Sequence, residues 1–224
     1  MNKWHELVEE FRTVVLGRSK VIDAVTPPVL FVIVNALAGF DAAMAAALVL
    51  ALLLGLRRWR RRESALFAFG GAAGAAVAFL LARWLDRAEG FFLPGIFTGG
   101  LSLLLAVASN LAGRPLVAWT SYLARRWPLQ WYWHPQVRPA YSEITWLWAL
   151  YFGVRLVAQA FFFQNAQADR LAWLNLALGW PATVLLLVVT YLYGVWRLQK
   201  LGGPSVEEFK AGTPPPWQGQ RRGF

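Results

Sequence analysis

The chain has 224 residues and a formal net charge of +10, from 22 Lys and Arg against 12 Asp and Glu, yet 58% of it is hydrophobic and 13 residues are Trp. That apolar content excludes a disordered basic tail, and a soluble nucleic-acid binder of this charge would not be so apolar. The absence of cysteine excludes disulfides, thiolate zinc sites, iron–sulfur clusters and Cys nucleophiles.

From the N-terminus, Trp4, Leu7, Val8, Phe11, Val14 and Val15 recur at helical spacing opposite Glu6, Glu9, Glu10 and Arg12. Residues 1–20 are therefore expected to form an amphipathic helix. It suits the inner membrane surface, or packing on the protein's own cytoplasmic loops. Charge-free stretches follow at 24–40, 42–56, 64–82, 90–113 and 171–196, and a sixth, 144–168, is interrupted only by Arg155. A helix needs about 20 apolar residues to cross a bilayer core. The pattern predicts an all-α polytopic membrane domain over 21–199, with six spans near 22–39, 41–58, 64–83, 91–112, 143–164 and 171–197. Ala36-Leu37-Ala38 could be read as a signal-peptidase site, but the preceding segment is too long and Pro27-Pro28 breaks its apolar run.

The positive-inside rule sets the orientation. With the N-terminus inside, 18 of the 22 basic residues fall in cytoplasmic segments, including Arg57, Arg58, Arg60, Arg61 and Arg62. Only Arg83, Arg87 and Arg170 fall outside, so both termini are expected in the cytoplasm. Short outer turns at Gly39-Phe40-Asp41 and Asp169-Arg170 suggest antiparallel hairpins. The recurrence of an outer acid (Asp41, Asp86, Asp169) is compatible with a repeated helical hairpin.

The long inner connection 114–142 opens with Pro115, suited to a first helical turn. It runs on through Trp119 and Tyr122 to Trp131-Tyr132-Trp133-His134. Such rings concentrate at headgroup depth. Beyond Lys200, Gly202-Gly203-Pro204 and Pro214-Pro215-Pro216 predict a disordered tail over 200–224.

Among chemistry-bearing residues, Arg155 stands out. An ionised group near mid-helix costs about 2.5–3.5 kcal/mol on insertion scales and persists only facing a polar interior. Gln159 lies one turn on and Thr145 continues the stripe; Asn35 and Asp41 are candidate partners. Two readings stand: a buried network fixing helix packing, or a contact to an anion or substrate. Asn110, Arg114 and Pro115 form a motif at the cytoplasmic end of the fourth helix. Arg114 there suits a lipid phosphate or simply marks the boundary. Gly70 with Gly74, and Gly95 with Gly99, give small-residue faces for helix packing. A phosphate-binding glycine loop, a catalytic constellation and a metal cluster are all missing from the sequence, so no enzyme activity, metal or cofactor is expected.

Several of these elements occur in a familiar order: Thr26-Pro27-Pro28, Pro94-Gly95, Gly113-Arg114-Pro115-Leu116, then Thr145, Trp148, Arg155 and Gln159. Over about residues 18–200 the chain resembles the bacterial membrane family of domain of unknown function 3159. It is more distantly similar to the intracellular septation protein A family. The first resemblance implies a small inner-membrane protein without an assigned reaction. The second implies an envelope or division role through membrane-protein contacts. The amphipathic N-terminus, the aromatic 127–141 loop and the Pro-rich tail depart from the septation type. The expected function is a non-enzymatic inner-membrane component of the cell envelope that contacts anionic headgroups at its cytoplasmic face. Another membrane protein or a second copy of the chain is a candidate partner, and nucleic acid is not. The alternative is a small-solute transporter or channel with a polar site around Arg155.

Overall fold

The computed structural model describes residues 30, 33, 34, 37–60, 65–220, 223 and 224. The amphipathic segment 1–20, most of the first expected span and Asn35 lie outside them. Every regular element among the described residues is a helix. In chain order these are α1 (Phe40–Arg60), α2 (Ala65–Trp84), a 3-10 turn (Ala88–Phe92), α3 (Leu93–Leu111), α4 (Leu116–Arg125), α5 (Leu129–Tyr132), α6 (Arg138–Gln164), α7 (Ala168–Ala177), α8 (Trp180–Leu201) and α9 (Val206–Ala211).

Three stretches are long and apolar enough to cross a membrane: Ala88–Leu111, Arg138–Gln164 and Ala168–Leu201. These match the fourth, fifth and sixth expected spans, so fewer than six are evident among the described residues. Their apolar side chains point outward. Leu104 is 62% and Leu185 66% exposed, a pattern that suits hydrocarbon rather than water. The chain is a helical protein with membrane-spanning segments.

The chain divides into two compact units, Met1–Phe97 with Ala158–Val184, and Thr98–Val157 with Leu185–Phe224. In the first, α1 packs on α2, and α2 and α7 pack on the 3-10 turn. Its core gathers Ala43, Met44, Phe92, Leu171 and Ala172. Gly90 lets the 3-10 turn approach α2, since a Cβ there would lie 2.8 Å from the Ala82 Cα. The core of the second unit is aromatic: Trp131, Tyr132 and Tyr141 are fully buried, with Ala118, Ile144, Leu198, Val206 and Phe224 around them.

Three boundaries differ from expectation. The sixth span is two helices, broken at Leu178-Gly179. Pro181 has no N–H to offer the Ala177 carbonyl, and α8 restarts with Thr183 N–H donating to the Gly179 carbonyl (3.0 Å). The fifth helix starts five residues early. The Arg138 N–H finds the His134 carbonyl (2.9 Å), and Pro139 sits in the first turn, where its missing donor is harmless. The turn before α7 is at Asn165–Gln167, with Ala166 left-handed at φ 53°, so Asp169 and Arg170 lie inside the helix.

The tail differs most. Composition predicts disorder over 200–224, yet residues 202–220 are ordered and α9 forms within them. Ser205 caps α9, accepting from the Glu208 N–H (3.2 Å), while Glu208 Oε2 accepts from the Ser205 N–H (2.8 Å). This reciprocal capping box satisfies two orphan donors of the first turn. Glu208 also accepts from the Gln218 N–H (2.8 Å) and Gly219 N–H (3.3 Å), pinning both ends of the Pro-rich loop.

Candidate functional site: a basic, aromatic cap

The second unit carries the most developed polar surface, built where α3 ends and α6 begins. α3 closes in a Schellman turn. The Arg114 N–H donates to the Ser109 carbonyl (2.9 Å) and the Gly113 N–H to the Asn110 carbonyl (3.0 Å), with Gly113 at φ 69°. Asn110 locks that turn to α6. Its Nδ2 donates to the Ser142 carbonyl (3.1 Å), and Ser142 Oγ donates back to Asn110 Oδ1 (2.7 Å). Pro115 is buried and immediately precedes α4. Thr145, fully buried, accepts from the Val117 N–H (3.3 Å) and donates to the Tyr141 carbonyl (2.7 Å). It thus supplies the otherwise unmatched first turn of α4 with an acceptor from a different helix. Thr145 serves packing here.

Along the surface of α4 runs a ladder of rings bracketed by two arginines. The Arg114 guanidinium lies over Trp133 (4.7 Å), Trp133 meets Trp119 (5.6 Å), Trp119 meets Tyr122 edge-on (6.2 Å), and Arg126 lies over Tyr122 (6.0 Å). Each cation–π contact contributes about 0.5–1 kcal/mol at an exposed site. Leu123 stands beside the ladder, 61% exposed. Apolar and aromatic groups facing outward next to unburied guanidinium groups make a surface suited to the headgroup zone.

Beneath the ladder the cap is closely packed. Trp127 stands edge-on to Trp131 (5.3 Å), and Trp131 Nε1 donates to the Pro204 carbonyl (2.8 Å). Phe224 stacks on Tyr141 at 4.3 Å and 13°, and Arg125 Nε donates to the Phe224 main-chain oxygen (3.0 Å). Tyr132 shares a hydrogen bond with Ser121 (3.1 Å), and burial raises its phenol above the ordinary value. His134 lies edge-on to Trp217 (5.4 Å) and Phe209 (6.4 Å). Desolvation there holds its imidazole below the ordinary value.

The other candidates fall in different places. Arg155 is half-buried in α6 and is engaged by neighbouring groups. Gln159, 1% exposed, donates to Asn175 Oδ1 (2.8 Å), and Asn175 Nδ2 donates to the Leu171 carbonyl (2.8 Å). Its own Oε1 is buried without a hydrogen-bond donor. Asp41 is exposed in the first turn of α1, 3.9 Å from Arg83 in the last turn of α2, where the sequence suggested Arg155. Gly70, Gly74 and Gly95 have open space where a Cβ would stand, and Gly99 is half-buried. Close approach occurs instead at Gly90 and Gly203, to backbone, and at Gly194, to the Phe224 ring, none of them in a GxxxG pattern.

Sequence reasoning missed one ion pair. Arg197 donates through Nε to Glu143 Oε2 (2.7 Å) and through Nη2 to Oε1 (2.6 Å), and the Tyr193 hydroxyl donates to the same carboxylate (2.7 Å). Both charges register in the sequence only as inner-face boundary residues. Trp148 Nε1 likewise donates to Thr190 Oγ1 (3.0 Å), tying α6 to α8 inside the span.

The fold thus defines a helical protein with three stretches long and apolar enough to cross a membrane and an ordered surface of arginine and aromatic side chains. The family model described as protein of unknown function (DUF3159) matches residues 16–199, and the chain belongs to that family. Neither a curated protein nor a solved structure matches it.

Proposed function

We propose that this DUF3159 protein is a non-enzymatic, six-span component of the bacterial inner membrane, with both termini cytoplasmic. It works in the cell envelope through lipid and membrane-protein contacts at its basic inner face. The observation that carries the proposal is the Arg114–Trp133–Trp119–Tyr122–Arg126 ladder on an ordered cap. Such a surface is built for association, and the rings beneath it hold its geometry. α1 and α2, 21 and 20 residues long and apolar, support further spans, and the distribution of Lys and Arg supports the orientation. The test is a photocrosslinking residue at position 123 of the full chain in cells, with purification in mild detergent. A specific crosslinked membrane protein, or a second copy of the chain, is expected. A monomer with no crosslinked partner overturns the protein-contact part.

A second reading, solute transport, is favoured by one observation: the buried Gln159–Asn175 amide pair, whose Gln159 Oε1 has no donor. Buried polar groups inside a membrane bundle commonly mark solute paths. This reading requires flux in proteoliposomes that Gln159→Leu and Arg155→Gln abolish while the protein stays folded. Absence of flux across ionic and small polar solutes removes it.

A further inference from the structure

We propose that Arg114 and Arg138 form a phosphate-binding site for a net-anionic phospholipid headgroup at the Gly113 turn. The inference rests on the interfacial reading above and names its ligand.

Both arginines stand beside one turn. Arg114 follows Gly113 directly, with its guanidinium held over Trp133 at 4.7 Å. Arg138 reaches the same turn, its Nη1 lying 3.5 Å from where a Gly113 Cβ would be. A β-carbon at Gly113 would meet Arg138 at ordinary contact distance, while the left-handed backbone there favours glycine. The turn is pre-organised by the reciprocal Asn110–Ser142 hydrogen bonds, so little order is lost on binding.

Neither arginine has a carboxylate partner among the described residues, whereas the nearby Glu143 is taken by Arg197. Arg138 also opens α6, where the helix dipole opposes a cation. Both guanidinium groups are exposed and so accessible to an external anion, and Arg is the side chain whose planar donors match phosphate oxygens in pairs. Depth decides which phosphate it is. Arg138 is the first residue of one membrane-spanning helix, and Arg114 lies three residues beyond the end of another. Both therefore stand at headgroup level, with exposed Trp119 and Leu123 alongside to meet the acyl boundary.

The test is native mass spectrometry of the detergent-purified full chain, titrated separately with phosphatidylglycerol, phosphatidylcholine and inorganic phosphate. Wild-type protein should bind one phosphatidylglycerol about tenfold more tightly than phosphatidylcholine. Arg114→Gln and Arg138→Gln should each weaken that adduct by about tenfold, while Lys210→Gln, which removes an equal charge from α9, leaves it unchanged. If Arg114→Gln lowers the melting temperature, Arg114→Lys takes its place. It keeps the charge but loses the paired donors, and a partial loss is expected. Equal binding of the two lipids, an equal effect of Lys210→Gln, or displacement of the lipid by millimolar phosphate overturns the site. None of these outcomes affects the crosslinking at position 123, so the lipid site and the protein-contact reading fail independently.

Discussion

Arg197 grips Glu143 with two parallel hydrogen bonds of 2.7 and 2.6 Å, so α6 and α8 are fastened by a bidentate pair at one end of their spans. Tyr193 adds a third donor to the same carboxylate. Charge-assisted bonds of this geometry are strong when shielded, but partial exposure of both side chains screens the pair and makes its contribution modest. Glu143→Gln should therefore lower the melting temperature in detergent. Arg197→Lys should do nearly as much, because a single ammonium cannot reproduce the fork. Circular dichroism melts of the two variants check this; a Lys variant as stable as wild type would mean that charge alone suffices.

Gly194 is the seat of Phe224. A β-carbon there would run into the Phe224 ring, so Gly194→Ala must push the ring off Tyr141 or shift α8. Overpacking of this kind costs about 1–3 kcal/mol. Displacing the ring releases the strap that follows Pro204. Limited proteolysis should cut the variant within residues 205–220 several times faster than wild type, with the helical signal retained.

Glu208 makes the same strap sensitive to acid. Its carboxyl sits below the ordinary 4.5, chiefly because the Gln218 N–H and then the Ser205 N–H donate to it. A carboxylate whose value is lowered by folding stabilises the folded form above the unfolded value. That contribution is lost as pH falls through the folded value. Protection of the Gln218 and Gly219 amides, taken relative to the intrinsic exchange rate at each pH, should therefore be high at neutral pH and fall as acid protonates Glu208 below the ordinary carboxylate value. Glu208→Gln should show the low protection at every pH.

Ala166 holds a left-handed conformation at φ 53° in the turn between α6 and α7. For a residue with a β-carbon that costs about 1–2 kcal/mol. The side chain is exposed, so replacement removes no packing. Ala166→Gly is expected to raise stability by about 1 kcal/mol, read as a higher melting temperature. A neutral or destabilised variant would show that the unfolded-state freedom of glycine cancels the relief.

The sequence by itself determined the class of molecule. Long charge-free stretches mark membrane helices because spanning depends on local composition and length, and neither needs a partner. The same local logic placed Pro115 beside a helix start and Gly113 at a helix end, whereas the aromatic run 127–141, expected at headgroup depth, instead buries Trp131, Tyr132 and Tyr141 in a core. What only the tertiary structure decided is which polar groups meet. Glu143 and Arg197 are 54 residues apart in the chain, and Arg125 and Phe224 are 99 apart. Nothing in either local environment names its partner, because such pairs are set by how helices pack. The tail makes the point most plainly. Its prolines and glycines predict disorder, since they lack local structure of their own. Yet Glu208 ties its ends together and Phe224 and Val206 are buried in an aromatic core that other segments supply. The burial that orders such a segment is invisible until the surface that receives it has been built.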